Sequence, residues 1–168
     1  MDNKVWFNQL LFYHKDIEFN SDGTIELALS SYTSDYKTFS APNLIFSIIN
    51  NNSRRSFTLN YQNAVDLIDS LRGILNNPDI FKSDGIELFK KYHYDRSLKI
   101  TFRKFNDNQI VTINIYYNES DFGKIIIHFN LFKAFASLIK YYIEKYIDIG
   151  FSMSNRTIST EILEQLKG

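Results

Sequence analysis

An α+β fold of two tandem ββββα repeats is what this chain of 168 residues predicts, and three observations carry the expectation. Short segments alternate oily and polar side chains, as half-buried strands do. Two longer stretches place oily residues at helical spacing, and the order of segments recurs after about 70 residues. The expected sheets are antiparallel, with the two helices packed together as an intramolecular pseudo-dimer. The first repeat is placed at 1–78, the second at 79–150, and a tail with a short helix at 151–168.

A first strand is expected near residues 5 to 13. "TIELALSSY" follows, with Ile25, Leu27 and Leu29 on one side and Glu26, Ala28 and Ser30 on the other. "NLIFSII" and "RSFTLN" read as a hairpin around the turn-rich "NNNSR". Asn60 can accept from the first free helical amides of the next segment, where Val65, Ile68 and Leu71 or Leu75 recur at helical spacing. Asn76, Asn77 and Pro78 stop that helix.

The same grammar restarts with a strand near 86 to 94. "SLKITFRKF", a turn of Asn106, Asp107 and Asn108, "IVTINIYY" and "KIIIHF" supply three more strands. Asn130 is expected to cap a helix over 131–147, in the place that Asn60 holds in the first half. "FYHKD" and "KYHYD" rhyme upstream of the two units. In the second helix Leu131, Phe135, Leu138 and Tyr142 form a stripe, yet Phe132, Ile139, Ile143, Tyr146 and Ile147 spread apolar surface beyond it. A helix apolar on more than one face needs cover on more than one side, which predicts packing on its own sheet and on the other helix. In the tail, Ser159 or Thr160 is expected to start a short helix that docks through Ile162, Leu163 and Leu166.

Composition removes several function classes. Lys plus Arg equals Asp plus Glu at 19 each, so no global field draws the chain to a polyanion and any basic site must be local. The absence of Cys excludes disulfides, thiolate metal sites and a cysteine nucleophile. His14, His93 and His128 lack metal-ligand spacing, and the six glycines form no phosphate cradle. Neither an enzyme nor a cofactor is expected. The segment "LFKAFASLIKYYIEKYIDIG" is broken by Lys133, Lys140, Glu144, Lys145 and Asp148, so no membrane span is expected. The N-terminal "MDNKVWFNQLLFYHKD" lacks the pattern of a signal peptide, which places the expected location in the cytoplasm or on the nucleoid.

The second hairpin offers the candidate site. With Leu98, Ile100, Phe102, Val111, Ile113, Ile115, Ile127 and Phe129 facing the helix, alternation turns Lys99, Thr101, Arg103, Thr112, Asn114, Tyr116, Lys124, Ile126 and His128 outward. Lys99, Arg103 and Lys124 can track a phosphate backbone while Tyr116 offers a stacking plate. The first half is poorer, since Glu26, Ala28 and Ser30 stand where Lys99, Thr101 and Arg103 stand, and Arg54 and Arg55 alone bring charge near its hairpin. The second half is therefore expected to do most of the gripping.

The run "LKITFRKFNDNQIVTINIYYNESDFGKIIIHFNLFKAFASLI" resembles the positive cofactor four family of single-stranded DNA-binding transcription coactivators. The likeness lies in the basic strand ending "RKF", the strand ending "IYYNE" and the passage "IHFNLFKAFASL". It covers 97–140 well and 24–75 loosely. The Whirly and Pur-alpha relatives share that architecture, and Pur-type proteins carry two repeats in one chain. The resemblance implies helix-to-helix pairing of two units, unpaired strands bound on the sheets, and nucleic-acid contacts at Lys99, Arg103, Lys104 and Tyr116.

The expected function is binding of single-stranded DNA or RNA in transcription or replication, by a monomeric pseudo-dimer or a homodimer. One alternative is a protein-binding module that kept the fold and lost the nucleic-acid surface, such as a viral or mobile-element regulator of a host enzyme. A second is a self-assembling structural subunit.

Overall fold

The computed structural model describes residues 4–19, 21–36, 40–76, 85–105 and 107–153, so the tail helix expected beyond 153 lies outside the described residues. Eight strands and two helices follow in the order ββββα, ββββα. The first sheet contains β1 (Val5–Lys15), β2 (Gly23–Thr33), β3 (Asn43–Asn50) and β4 (Ser53–Leu59), and α1 (Tyr61–Leu75) follows it. The second contains β5 (Ile86–His93), β6 (Arg96–Phe105), β7 (Asn108–Tyr117) and β8 (Ser120–His128), followed by α2 (Phe129–Met153). Each sheet is an antiparallel meander with its strands in chain order. This α+β layout is consistent with a two-repeat arrangement.

The two halves share local devices. Between β3 and β4 the turn residues Asn51 and Asn52 have φ of 49° and 64°, and between β7 and β8 Asn118 and Glu119 have 49° and 65°. Two successive residues at positive φ match the right-handed twist of the flanking strands, and Asn tolerates that region better than most side chains. The first strand of each sheet carries a bulge, between Leu10 and Phe12 and between Glu87 and Phe89. The bulges align Leu11-Phe12 with Leu88-Phe89. Counted from them, His14 stands level with Lys91, so the "FYHKD" and "KYHYD" rhyme runs two residues out of step with the sheets.

The inward alternation places Leu98, Ile100, Phe102, Val111, Ile113, Ile115 and Ile127 in the core, each at most 1% exposed. Ile25, Leu27, Leu29, Leu44, Phe46 and Ile48 do the same in the first sheet, and both sets belong to one continuous apolar cluster. Asn60 caps α1, accepting the Asn63 N–H on its Oδ1 at 2.8 Å. The second helix departs from expectation. It starts at Phe129, which puts Asn130 inside the first turn and His128 in the place of Asn60.

Burial along α2 follows Phe132, Phe135, Ala136, Ile139 and Ile143, while Leu131 and Tyr142 flank this stripe half-buried. Its apolar surplus is covered from three sides. Phe129 meets Phe102 of its own sheet at 5.3 Å between ring centroids. Phe135 meets Phe12 at 5.0 Å and Phe46 at 5.9 Å, both from the first sheet. Against α1, Ala136 and Ser137 share a groove with Ile68 and Leu71, and Arg72 lies 3.7 Å from Glu144. The expectation of helix against helix thus holds, and the opposite sheet supplies further cover. In the reciprocal sense α1 reaches β5.

A seam joins the sheets directly. The Asn50 side chain acts as a short piece of strand for the edge of β8: its Nδ2 donates to the Lys124 carbonyl and its Oδ1 accepts the Lys124 N–H, each at 3.1 Å. Across the other half of the seam Arg96 donates to the Ser56 carbonyl at 3.2 Å. Glycines permit this approach. A β-carbon at Gly23 would lie 2.9 Å from the Lys124 carbonyl oxygen, and one at Gly123 would lie 3.3 Å from the β-carbons of Arg55 and Ile48.

Candidate nucleic-acid interface

Register turns the outward face of the second sheet into cross-strand rows. Lys90 stands opposite Lys99, Lys99 opposite Asn114, and Asn114 opposite Lys124. Three lysines and one amide therefore cross all four strands side by side, with neighbouring strands about 5 Å apart. The next row toward the β5–β6 turn is Tyr92, Ser97 and Tyr116. On the other side lie Glu87, Thr101, Thr112 and Ile126, followed by Arg103, Ile110 and His128.

Long side chains wall this face and short ones floor it. Ser97, Thr101, Thr112 and Asn114 are buried, while Arg103 and Lys124 are exposed. Among the described residues no carboxylate pairs with Lys99, Arg103 or Lys124. Lys90 lies with its Nζ 4.8 Å from the centre of the Tyr92 ring. Its pKa is raised, chiefly by a side-chain hydrogen bond with Tyr92, so it stays charged at neutral pH.

The β1–β2 connection closes one end of the trough. Asp16 organises it, its carboxylate accepting the N–H groups of Glu18, Phe19 and Ser21 and the Ser21 hydroxyl. Burial alone would raise the Asp16 pKa, but those hydrogen bonds outweigh it and hold the group below the ordinary carboxylate value. The loop so shaped brings the Phe19 ring to 4.8 Å from His128 and Glu18 Oε2 to 2.5 Å from His128 Nε2. His128 is therefore already engaged.

The residues singled out from sequence divide into two groups. Lys99, Arg103, Asn114, Tyr116 and Lys124 share one sheet face. Lys104 does not, because alternation turns it to the opposite side of β6 from Arg103, level with Gln109. Arg54 lies on the outer face of the first sheet with its guanidinium 2.5 Å from Glu26. Arg55 faces the seam, its β-carbon close to Gly123. Neither arginine joins the lysine row.

Sequence reasoning missed Lys90 and Tyr92. Strict alternation from Ile86 turns Lys90 inward, but the bulge at Leu88 shifts the phase by one residue and brings both side chains to the outer face. The available signal was the adjacent pair Leu88-Phe89, both buried, where simple alternation allows only one. The matching row of the first sheet is Tyr13, Glu26, Ser47 and Ser56, which carries no cation.

Against known proteins, no family model and no curated protein matches the chain. Among the described residues no helix is long and apolar enough to cross a membrane, and no group of three acidic or imidazole side chains could hold a metal ion.

Proposed function

We propose that the chain is a non-enzymatic binder of single-stranded DNA or RNA, gripping unpaired strands in transcription or replication on the outer face of its second sheet. The row Lys90, Lys99, Asn114 and Lys124, with Tyr92 and Tyr116 beside it, carries this reading. Like charges directly opposite one another weaken a sheet. Lys90 opposite Lys99 is such a pair, and a polyanion laid across the row offsets the repulsion. Tyrosine rings next to the cations supply sequence-tolerant stacking for bases, as a single-strand groove requires.

The reading includes descent of both halves from one ββββα unit, forming a pseudo-dimer of the kind found in the positive cofactor four, Whirly and Pur-alpha proteins. Matching bulges, matching turns and reciprocal helix-to-sheet contacts support it. On this view the second half kept the nucleic-acid face, and the first completes the core.

Fluorescence anisotropy of a labelled unstructured oligonucleotide tests the proposal. Binding should weaken steeply with salt, and Lys99→Ala combined with Arg103→Ala should lower affinity. Unchanged affinity in that double variant would show that the face is wrongly assigned. A protein-binding module is the second reading, favoured by Trp6, Leu10 and Tyr13, which are exposed along edge strand β1. It predicts oligonucleotide binding that Lys99→Ala and Arg103→Ala leave untouched or that is absent altogether.

A further inference from the structure

Beyond the Tyr92–Ser97–Tyr116 row, at one end of the strands, the β5–β6 and β7–β8 turns lie side by side, tied by a hydrogen bond from the Asn118 N–H to the Asp95 carbonyl at 2.7 Å. Between them opens a cleft of about 370 Å³ lined by Tyr92, Tyr94, Asp95, Arg96, Asn118 and Glu119. This is the small end of the range for ligand pockets. Tyr94 is 92% exposed and sits at φ 56°, a backbone region that aromatic residues rarely adopt. The His93 ring braces it edge-on at 4.6 Å. Tyr92 is largely exposed as well, and Lys90 over its ring links the cleft to the cationic row.

Two solvent-facing aromatic rings at the mouth of a polar cleft suit a flat ligand. Asp95 and Glu119 outnumber Arg96 in this lining, and Arg96 donates to the Ser56 carbonyl, so a phosphate is disfavoured there by like charge. A neutral planar group that donates hydrogen bonds is favoured. Resting on the single-strand reading above, we infer that this cleft is a nucleobase subsite: while the lysine row holds phosphates, an unpaired base carrying an exocyclic amine stacks on Tyr94 and Tyr92 and donates to Glu119. Between the two pyrimidines of DNA, cytosine has that amine and thymine presents a carbonyl in its place. The site therefore favours cytosine over thymine.

The test compares short oligo-dC with oligo-dT on the native protein, Tyr94→Asn and Glu119→Gln, each titrated at several salt concentrations. Asn accepts the left-handed backbone, so Tyr94→Asn removes the ring and keeps the turn. Loss of one stacked base should lower oligo-dC affinity about tenfold. The salt slope should stay unchanged because no phosphate contact is lost. Glu119→Gln should remove the preference for oligo-dC. Native-like binding by Tyr94→Asn, or equal affinity of the native protein for both oligonucleotides, overturns the subsite and leaves the lysine face standing. Native protein that binds neither oligonucleotide overturns both. Should Tyr94→Asn fail to fold, 2-aminopurine placed in the oligonucleotide reads the same stacking on native protein: quenched emission on binding supports the subsite, and unquenched emission overturns it.

Discussion

Gly23→Ala places one methyl group in the seam where the two sheets meet. The added carbon would lie 2.9 Å from the Lys124 carbonyl oxygen and 3.0 Å from Asn50 Nδ2. Neither neighbour is the loose end of a flexible side chain: one is backbone of β8, and the other is held by its own hydrogen bonds to Lys124. Relief requires the seam to open, which lengthens two hydrogen bonds with a net contribution of about 1 kcal/mol each. Overpacking typically costs about 1–3 kcal/mol, and alanine recovers about 0.4–1 kcal/mol by restricting the unfolded chain. The net expectation is a loss of about 2 kcal/mol, or a melting temperature lower by about 4–8 °C in a chain of this size. Gly73→Ala is the control, because nothing lies within 4 Å of a β-carbon there. In helix α1 that change should stabilise by up to about 1 kcal/mol. Urea unfolding of both variants is the assay. If Gly23→Ala matches Gly73→Ala in sign, the sheets do not approach as closely as described and the reasoning fails.

Phe135→Ala should cost about 3–5 kcal/mol in urea unfolding, because the ring fills the space between Phe12, Phe46 and Phe132 from both sheets and its own helix; a loss under 1 kcal/mol would argue against a shared core. Asp16→Asn should cost about 1–2 kcal/mol at neutral pH, since the neutral amide keeps only one accepting oxygen for four donors. The native carboxyl has a lowered pKa, so its contribution is present above the ordinary value of about 3.9 and is lost as pH falls through the folded value. The gap between native protein and Asp16→Asn should therefore close in acid, and a gap independent of pH would contradict the assignment. Arg54→Ala should leave oligonucleotide affinity within about twofold, measured by anisotropy, because Glu26 already neutralises that guanidinium.

Much of the fold was legible because its strands obey simple alternation. Leu98, Ile100 and Phe102 on β6, and Val111, Ile113 and Ile115 on β7, fall in phase without interruption, and the turns between strands are marked by Asn and Asp. What alternation could not carry is the bulge. One extra residue at Leu88 inverts the faces of everything after it in β5, so the β5 end of the lysine row stayed hidden although Lys90 and Tyr92 are plain in the sequence. The surplus of oily residues on α2 signalled burial on several sides, but pattern alone does not say what covers each side. Phe12 meets Phe135 across more than a hundred residues of chain, and only the packed structure fixes such a pair. Asn130 misled for a related reason: a capping side chain is permissive at several nearby positions, and β8 runs on to His128, which stands just before the helix instead.

The dependence of oligonucleotide affinity on salt tests the claim that the second sheet grips a single strand most directly. Each phosphate neutralised on a single strand contributes a slope of about −0.7 to the logarithmic plot. Lys90, Lys99, Arg103 and Lys124 together predict about −2 to −3 for the native protein, falling toward about −1 when the three lysines are replaced by alanine. A native slope near zero, or the same slope with and without those lysines, would contradict the account.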